Sequence, residues 1–410
     1  GDGGAGFNQR KMLGDAAYET RLVMDAVRSA TAGRYLTAGV ASGAEQMKAL
    51  FDAAIREQRA LDLEIGVALT AEQIKRLGSD IIWYVEREID GQKVLVPQIY
   101  LCESTLRKIA DGETGDVITG GDVRIAAKTI TNAGKLSADG LLSLTAKDLL
   151  NRGGLITADK TLIKGGNVLN ETLKNRQETR VGQMYDLRET LGKTARIKGE
   201  SGVQIDIDGD LTMRAGTVES GETVAIKADN IVLDTVELHD RHENTATKKS
   251  TFGKTVTTTV TDSLKNAGSA IVAGGAAVID AVKNLFAKGA TIESGGDVQI
   301  TAGGETTLKS AADREYSYSR TKKSGFMKSA DHIAESESVK QSGTTVTAKS
   351  GLTVVSGGDV NITASTVKTG GDAAILAGYT VNADGTVARN ESGSLNITND
   401  YDSERRYEKH

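Results

Sequence analysis

Along most of this chain, apolar and polar residues alternate with a period of two in short runs separated by Gly- and Asp-rich turns. One phrase makes the pattern explicit. Thr119–Gly–Gly–Asp–Val–Arg–Ile125 returns at Ser294–Ile300, Ser356–Ile362 and Thr369–Ile375, with looser copies from Ala138, Glu219 and Glu391. Each copy predicts one tight turn and one short strand. A unit that small cannot bury its own apolar face, so its repetition predicts a stack of coils. Asn132, Asn151 and Asn170 follow Thr131, Leu150 and Leu169 and are evenly spaced along the chain. Their constant interval fits one coil of a parallel β-helix, made of two or three short strands with tight corners. The general rule for parallel crossovers makes it right-handed. Asparagine at a repeated corner tolerates left-handed backbone and can stack its amide on the next coil's asparagine, so the three are expected in one column.

The first part of the chain has a different rhythm. Leu22, Ala26, Val27 and Ala30 follow helical spacing up to Gly33. A second helix is predicted from a capping box at Ser42 and Glu45, with Met47, Leu50, Phe51, Ala54 and Ile55 on one face. Thr70 and Gln73 form another capping box ahead of Ile74 and Leu77. Ile81–Ile89 and Lys93–Leu101 then read as a hairpin turned by Asp90–Gly91. The expected organisation is a small α+β module over 1–110 and a mainly β rod, a right-handed parallel β-helix, over 111–410.

Three stretches break the coil period: 171–196, 239–288 and 316–339. The last two contain Lys248–Lys249–Ser250 and Lys322–Lys323–Ser324, each ahead of a Thr- or Ser-rich alternating segment, so a larger repeat of rod plus excursion is predicted. A third such departure is expected from about Tyr401. Ser263–Ala287 is the long apolar run within the second excursion. It is expected as a helix or hairpin against the rod, with a membrane-interacting element as the alternative, and removal of 245–285 is expected to leave the rod folded. Discounting the excursions leaves about 200 residues, hence roughly ten coils and a rod of about 50 Å.

Composition supports a narrow, turn-rich interior. Of 410 residues, 47 are Gly and 1 is Pro, and aromatics make up 4%. Proline would remove an N–H that the neighbouring coil needs. The net charge of −5 is spread without a basic block, which argues against nucleic acid as a partner. Cys102 is the single cysteine and reads as a small buried residue. Gly1–Gly6 is Gly-rich and unlike a basic-then-apolar leader, and both ends of the chain read as the interior of a larger protein.

Candidate chemistry is sparse. Asp206, Asp208 and Asp210 resemble the start of a calcium loop, but Thr217 stands where its last ligand belongs, and alternation with Ile205 and Ile207 predicts a strand with acids facing water. His239 and His242 could hold a metal only together with Asp240 and Glu243; His332 and His410 are the other histidines. The Gly-rich phrases lack the Gly-Lys-Ser/Thr ending of a phosphate loop, and no nucleophile elbow occurs. The reading assigns no catalytic residue, cofactor, metal or small-molecule substrate.

The Ser-Gly-Gly-Asp-Val-x-Ile-Thr-Ala phrases at 294–302 and 356–364 and the Lys-Lys-Ser-Gly phrase at 322–325 resemble the repeats of filamentous-haemagglutinin-type bacterial exoproteins. The similarity is strongest to carriers of contact-dependent growth inhibition toxins. Leu13–Leu22, Leu69–Gln73, Asp80–Trp83 and Val94–Leu101 resemble the non-repetitive segment that such proteins carry before a late repeat block. The resemblance implies a β-helical stalk, secretion through an outer-membrane two-partner transporter, display at the cell surface, and contact with a target-cell receptor or outer membrane. Toxin delivery is the function it implies. An adhesin for a host surface or glycan is the alternative, and a β-helical polysaccharide-degrading enzyme a more distant one.

Overall fold

The alternating runs of the sequence become strands that stack. The computed structural model describes residues 11–12, 21, 23–24, 27, 42–89, 92–105, 117–325 and 328–410. Among them, nine coils follow one another, each with three strands on three parallel sheets. The first coil uses 117–120, 123–127 and 129–132, and the ninth uses 366–369, 373–377 and 395–398. Within these strands every second residue points inward, so identical positions of successive coils form ladders. One runs Leu136, Ile156, Ile197, Val218, Ile271, Ile292, Val346. Another runs Leu144, Ile163, Ile205, Ile226, Ile279, Ile300, Val354. The hydrophobic cluster inside the stack consists of isoleucine, leucine, valine, alanine and methionine, with no aromatic ring among the described residues. Three sheets closing on one another leave no width for rings, which is why the chain carries so few aromatics.

The asparagines do form a column. Asn132 faces Asn151 and Asn151 faces Asn170 in the sheet register. Asn132 Nδ2 donates to Asn151 Oδ1 (2.9 Å), and Asn151 Nδ2 to Asn170 Oδ1 (2.8 Å) and Gly154 O (2.9 Å). Asn151 and Asn170 are fully buried, so each amide must be satisfied inside the corner. From the fourth coil onward Met213, Leu233 and then Ala287 take this place. The coil also lengthens. First strands begin at Val117, Lys135 and Leu155, then at Arg196 and Thr217, so the interval grows along the rod and the even spacing holds for the asparagines alone.

The Gly-Gly-Asp phrase marks corners. Ser294 ends a first strand and Val298 begins a second, whereas Ser356 ends a second strand and Val360 begins a third. In these turns the backbones of successive coils nearly touch. A Cβ on Gly295 would meet Gly274 O at 2.1 Å, and one on Gly357 would meet Gly303 O at 2.0 Å. The aspartates clip coil to coil: Asp122 Oδ1 accepts from Leu141 N, Asp297 Oδ1 from Gly351 N and Asp359 Oδ1 from Ser394 N, each at 2.8 Å.

The third corner alternates between two solutions. In the second, fourth, sixth and eighth coils it is closed tightly by a residue with positive φ: Gly153 (65°), Ala215 (48°), Gly289 (55°) and Ala364 (44°). In the third, fifth and seventh coils the same corner opens and the chain leaves as an antiparallel hairpin: Lys174–Val181 with Met184–Leu191, Val236–Ser250 with Gly253–Ala267, and Ala311–Gly325 with Ser329–Ser342. After the ninth coil, Ser403–Lys409 leaves in the same way. Hydroxyls serve the opened corners. Ser269 Oγ donates to Asp234 O (2.7 Å) and Thr344 Oγ1 to Lys309 O (2.8 Å), beside the Ala215 and Gly289 N–H groups that the same carbonyls accept from the preceding coil.

These seven outgoing strands pair into one antiparallel side sheet. The excursions therefore run 174–191, 236–267 and 311–342, and the expected 239–288 extends too far. Residues 270–288 are the sixth coil, with Ile271, Ala277, Ile279 and Ala287 fully buried. Of the apolar run at 263–287, residues 263–267 end the second hairpin and the rest is rod coil in place of a helix or a membrane element: its Gly274–Gly275 pair is a corner, and its apolar residues alternate with a period of two. Removing 245–285 would cut the rod.

Ahead of the rod, helix α1 (Gly43–Leu61) starts where Ser42 Oγ accepts from Glu45 N (3.2 Å). It buries Leu50, Ala53, Ala54 and Leu61, while Ile55, expected on the apolar face, is exposed. Helix α2 (Ala71–Arg76) carries the complete Thr70–Gln73 capping box. Ile81–Ile89 pairs antiparallel with Gln92–Tyr100. The Asp90–Gly91 turn, most of the first predicted helix and the boundary near 110 lie outside the described residues. Cys102 is buried beside Ser104 and Thr105.

Two outcomes follow. Asn151→Ala should destabilise the chain by about 1–3 kcal/mol, because it takes the donor from the buried Asn170 Oδ1 and one of two partners from Asn132 Nδ2 and from Gly154 O; a urea midpoint equal to that of the parent would refute the ladder's role. Arg196, Ala270 and Thr345 each begin a first strand, and each interval between them spans two coils and one hairpin. Excising 196–269 should preserve cooperative unfolding and the side sheet. Excising 196–216 alone should disrupt the sheet, since adjacent hairpins would then leave from successive coils. Indistinguishable melting and exchange profiles for the two deletions would contradict this account.

Candidate functional site

The side sheet is the most chemically varied surface of the molecule. Its longer strands, 236–250, 253–267, 311–325 and 329–342, contain half-exposed and exposed residues throughout, with Ala311 at the root as the buried exception among the described residues. Both faces therefore meet solvent, and side-chain ladders across the strands must support a layer that no core covers.

Strand alternation sorts the two faces. One carries tyrosines and paired charges. Arg241 bonds Asp262 (2.7 Å) and Glu243, Arg314 bonds Glu337 (2.6 Å), and Arg405 reaches Glu335 (3.3 Å) and Glu337 (3.4 Å). Arg320 grips Asp331 through Nε (2.9 Å) and Nη2 (2.6 Å), and this fork holds the Asp331 carboxyl below its usual range. Tyr316 and Tyr318 lie between these pairs. The other face is hydroxylated: Thr255, Thr257, Thr259, Thr261 and Ser263 on one strand, and Ser317, Ser319 and Thr321 beside them. Ser317 Oγ and Ser336 Oγ lie 2.8 Å apart.

Charge changes along the strands. Near the rod, acids and bases balance. At the outer ends no carboxylate occurs in 244–261 or 316–330, whereas Lys248, Lys249, Lys254, Lys322, Lys323 and Lys328 are all exposed. The register sets Lys249 opposite Lys254 and Lys323 opposite Thr255, which gathers these lysines at one rim. At its apex Phe252 is 83% exposed. The two Lys-Lys-Ser phrases of the sequence are thus neighbours in space.

The histidines part company. His239 and His242 are three apart on one strand and so point to opposite faces, which rules out the shared metal site considered from their spacing. His239 Nε2 meets Asp262 Oδ1 at 2.5 Å. His242 bridges two excursions: its Nδ1 lies 2.6 Å from Asp186 Oδ1 of the first hairpin, and its Nε2 lies 2.8 Å from Asp240 Oδ1. Glu243 sits on the opposite face with Arg241. Asp186 first, then Asp240, raises the His242 pKa to about 9. Asp206 and Asp208 are exposed while Ile205 and Ile207 are buried, as a solvent-facing strand requires. Asp210 Oδ1 accepts from Asn230 N (3.1 Å), another bond between coils. Sequence reasoning missed the Asp186–His242 link, because its partners lie far apart in the chain, on different hairpins. It also missed the approach of His332 to His410.

Comparison with known proteins agrees with this architecture. A haemagglutinin repeat model matches residues 118–212 and 190–268, and a second hemagglutinin repeat model matches 250–383. The 16S rRNA endonuclease CdiA of Enterobacter cloacae is 30% identical over 400 residues, covering 91% of this chain and 11% of that protein. The tRNA nuclease CdiA of Escherichia coli O6:K15:H31 is 34% identical over 250 residues, covering 54% of this chain and 8% of its own length. The deoxyribonuclease CdiA of Dickeya dadantii is 26% identical over 410 residues, 90% of this chain and 11% of that protein. The chain thus spans about a tenth of the length of the curated relatives it matches. No solved structure matches. Among the described residues no helix is long and apolar enough to cross a membrane.

The His242 link makes one side-sheet contact pH-dependent. A folded-state pKa near 9, above the ordinary 6.5, means the contribution is complete below about pH 6.5 and lost as pH rises through about 9. Amide exchange in Met184–Leu191 should therefore accelerate above pH 7 by more than base catalysis alone, and His242→Gln should remove that excess. The same excess in the variant would count against the link.

Proposed function

The chain belongs to the haemagglutinin-repeat family as a CdiA-like repeat region, and we propose that it is the stalk segment of a large secreted bacterial surface exoprotein. In this reading the stalk mediates cell contact and carries a distal toxin domain to a neighbouring bacterium. The observation that carries the proposal is the continuous parallel pairing of nine coils, over the residues where the repeat models match. A fold whose inner positions are ladders and whose corner aspartates are occupied by backbone N–H groups is suited to holding distance and direction. The nuclease names of the relatives describe proteins roughly eight times as long as this chain, and the repeats here supply reach.

An outer-membrane two-partner transporter is the export partner proposed, with display at the cell surface. The target-side partner is a receptor or the outer membrane itself. The lysine rim around Phe252 is the part of the side sheet best suited to approach an anionic surface, because lysines gain from nearby phosphates while the ring contributes apolar contact.

The test uses the parent protein in its producing strain, co-cultured with a sensitive neighbour. Excising residues 117–398 in frame should leave secretion intact and abolish growth inhibition of the neighbour. Inhibition equal to that of the intact protein would overturn the stalk reading. Cell binding without inhibition by the intact parent would establish the adhesin alternative instead.

A further inference from the structure

The outer edge of the side sheet gathers three metal-binding side chains. The register sets Ile333 opposite Lys409 and Ala334 opposite Glu408, which brings His332 opposite His410. Glu408, two positions before His410, shares that face, while Lys409 between them points to the other. The two Nδ1 atoms lie 3.1 Å apart. Glu408 Oε1 lies 3.6 Å from His332 Nε2 and 3.4 Å from His410 Nε2. The rings stack with centroids 4.6 Å apart. Ligand atoms from all three residues fall within 4.8 Å of one another.

A tetrahedral ion bound at about 2.0–2.1 Å holds its donors about 3.4 Å apart. Each ring can offer one nitrogen to an ion, and one such set with a Glu408 oxygen already lies within 4.8 Å; its members come from two backbone-paired strands, so side-chain rotation closes the remaining distance. We propose that His332, Glu408 and His410 form a three-ligand site for a divalent cation of the zinc class, with a fourth position open to water or an outside ligand. Two imidazoles and one carboxylate suit zinc-like ions and not calcium or magnesium, which take oxygen shells. Position gives the site a purpose. At its root the 403–409 strand is tied by Asp402, whose Oδ1 accepts from Gln341 N (2.6 Å). An ion at its far end fastens the other end to the same neighbour, so the last strand of the side sheet is pinned twice.

The test is calorimetric titration of the full chain with Zn2+ near neutral pH, paired with amide exchange of Ser403–Lys409. One equivalent should bind, and exchange in that strand should slow. His332→Ala should weaken binding at least about tenfold and abolish the slowing, whereas His239→Gln should change neither. A chain extended by Gly-Ser-Gly after His410 should bind as the parent does, which assigns the ligands to side chains. Undiminished affinity in His332→Ala, unchanged exchange on adding Zn2+, or lost binding in the extended chain would each overturn the site.

Discussion

The spacing of strands hydrogen-bonded side by side, about 4.8 Å, governs both parts of the rod. Each coil rises by one such spacing because every strand bonds to its equivalent in the next coil. A hairpin is two strands wide and so occupies two spacings. If every coil emitted a hairpin, the side sheet would need twice the room available. If every third coil did so, gaps would separate the hairpins and leave strand edges unpaired. Emission from alternate coils is the one arrangement in which a continuous side sheet and a continuous stack share a single repeat distance. The alternation of tight and open corners is its local expression: Ala215, Gly289 and Ala364 close the corner in one coil, and the next coil opens. Alanine at positive φ costs roughly 1 kcal/mol or more. The corner tolerates it because the N–H groups of Ala215 and Ala364 bond to Asp234 O and Thr398 O of the following coil.

The same constraint explains which parts of the sequence were legible. Period-two alternation and the Gly-Gly-Asp turns specify strands and corners directly, and the asparagine column could be placed from spacing because no excursion interrupts 132–170. Excursion ends were harder. At 263–287 a dense apolar run looked unlike the shorter rod strands, because Ala276–Ala277 and Val278–Ile279 blur the alternation that Ile271, Ala273, Ile279 and Ala281 obey in the fold. The repeated phrase gives corners and not the coil length. It serves two different corners of the coil, so the distances between its copies do not give the coil length.

Candidate sites were legible only where their members share a strand. His239 and His242 stood close in sequence, yet a spacing of three on a strand separates faces, so their proximity was deceptive. Asp186–His242 and His332–His410 depend on hairpins from different coils meeting side by side, and nothing in either local segment announces the partner. What the sequence did carry was the recurrence of Lys-Lys-Ser at 248–250 and 322–324, which is the two-coil repeat seen from the hairpin ends.

A sheet wetted on both faces also has two edges to protect. At one edge, Lys174–Val181 alternates basic and polar residues, with Arg176 and Arg180 flanking Glu178. At the other, Ser403–Lys409 carries Glu404, Arg405, Arg406, Glu408 and Lys409 in one short strand. Charges at such density discourage a second chain from adding a strand, since any new partner must bury or match them. Inner strands can carry runs such as Thr255–Thr259 because both their neighbours come from the same chain and the coil below fixes their register. Charge is therefore distributed by position in the sheet: dense and mixed at the edges, paired across the tyrosine face, and predominantly basic at the outer rim, where Asp331 opposite Lys322 is the exception. That last departure from balance has no role in pairing the strands, which leaves the rim, unlike the edges, free to be used for contact.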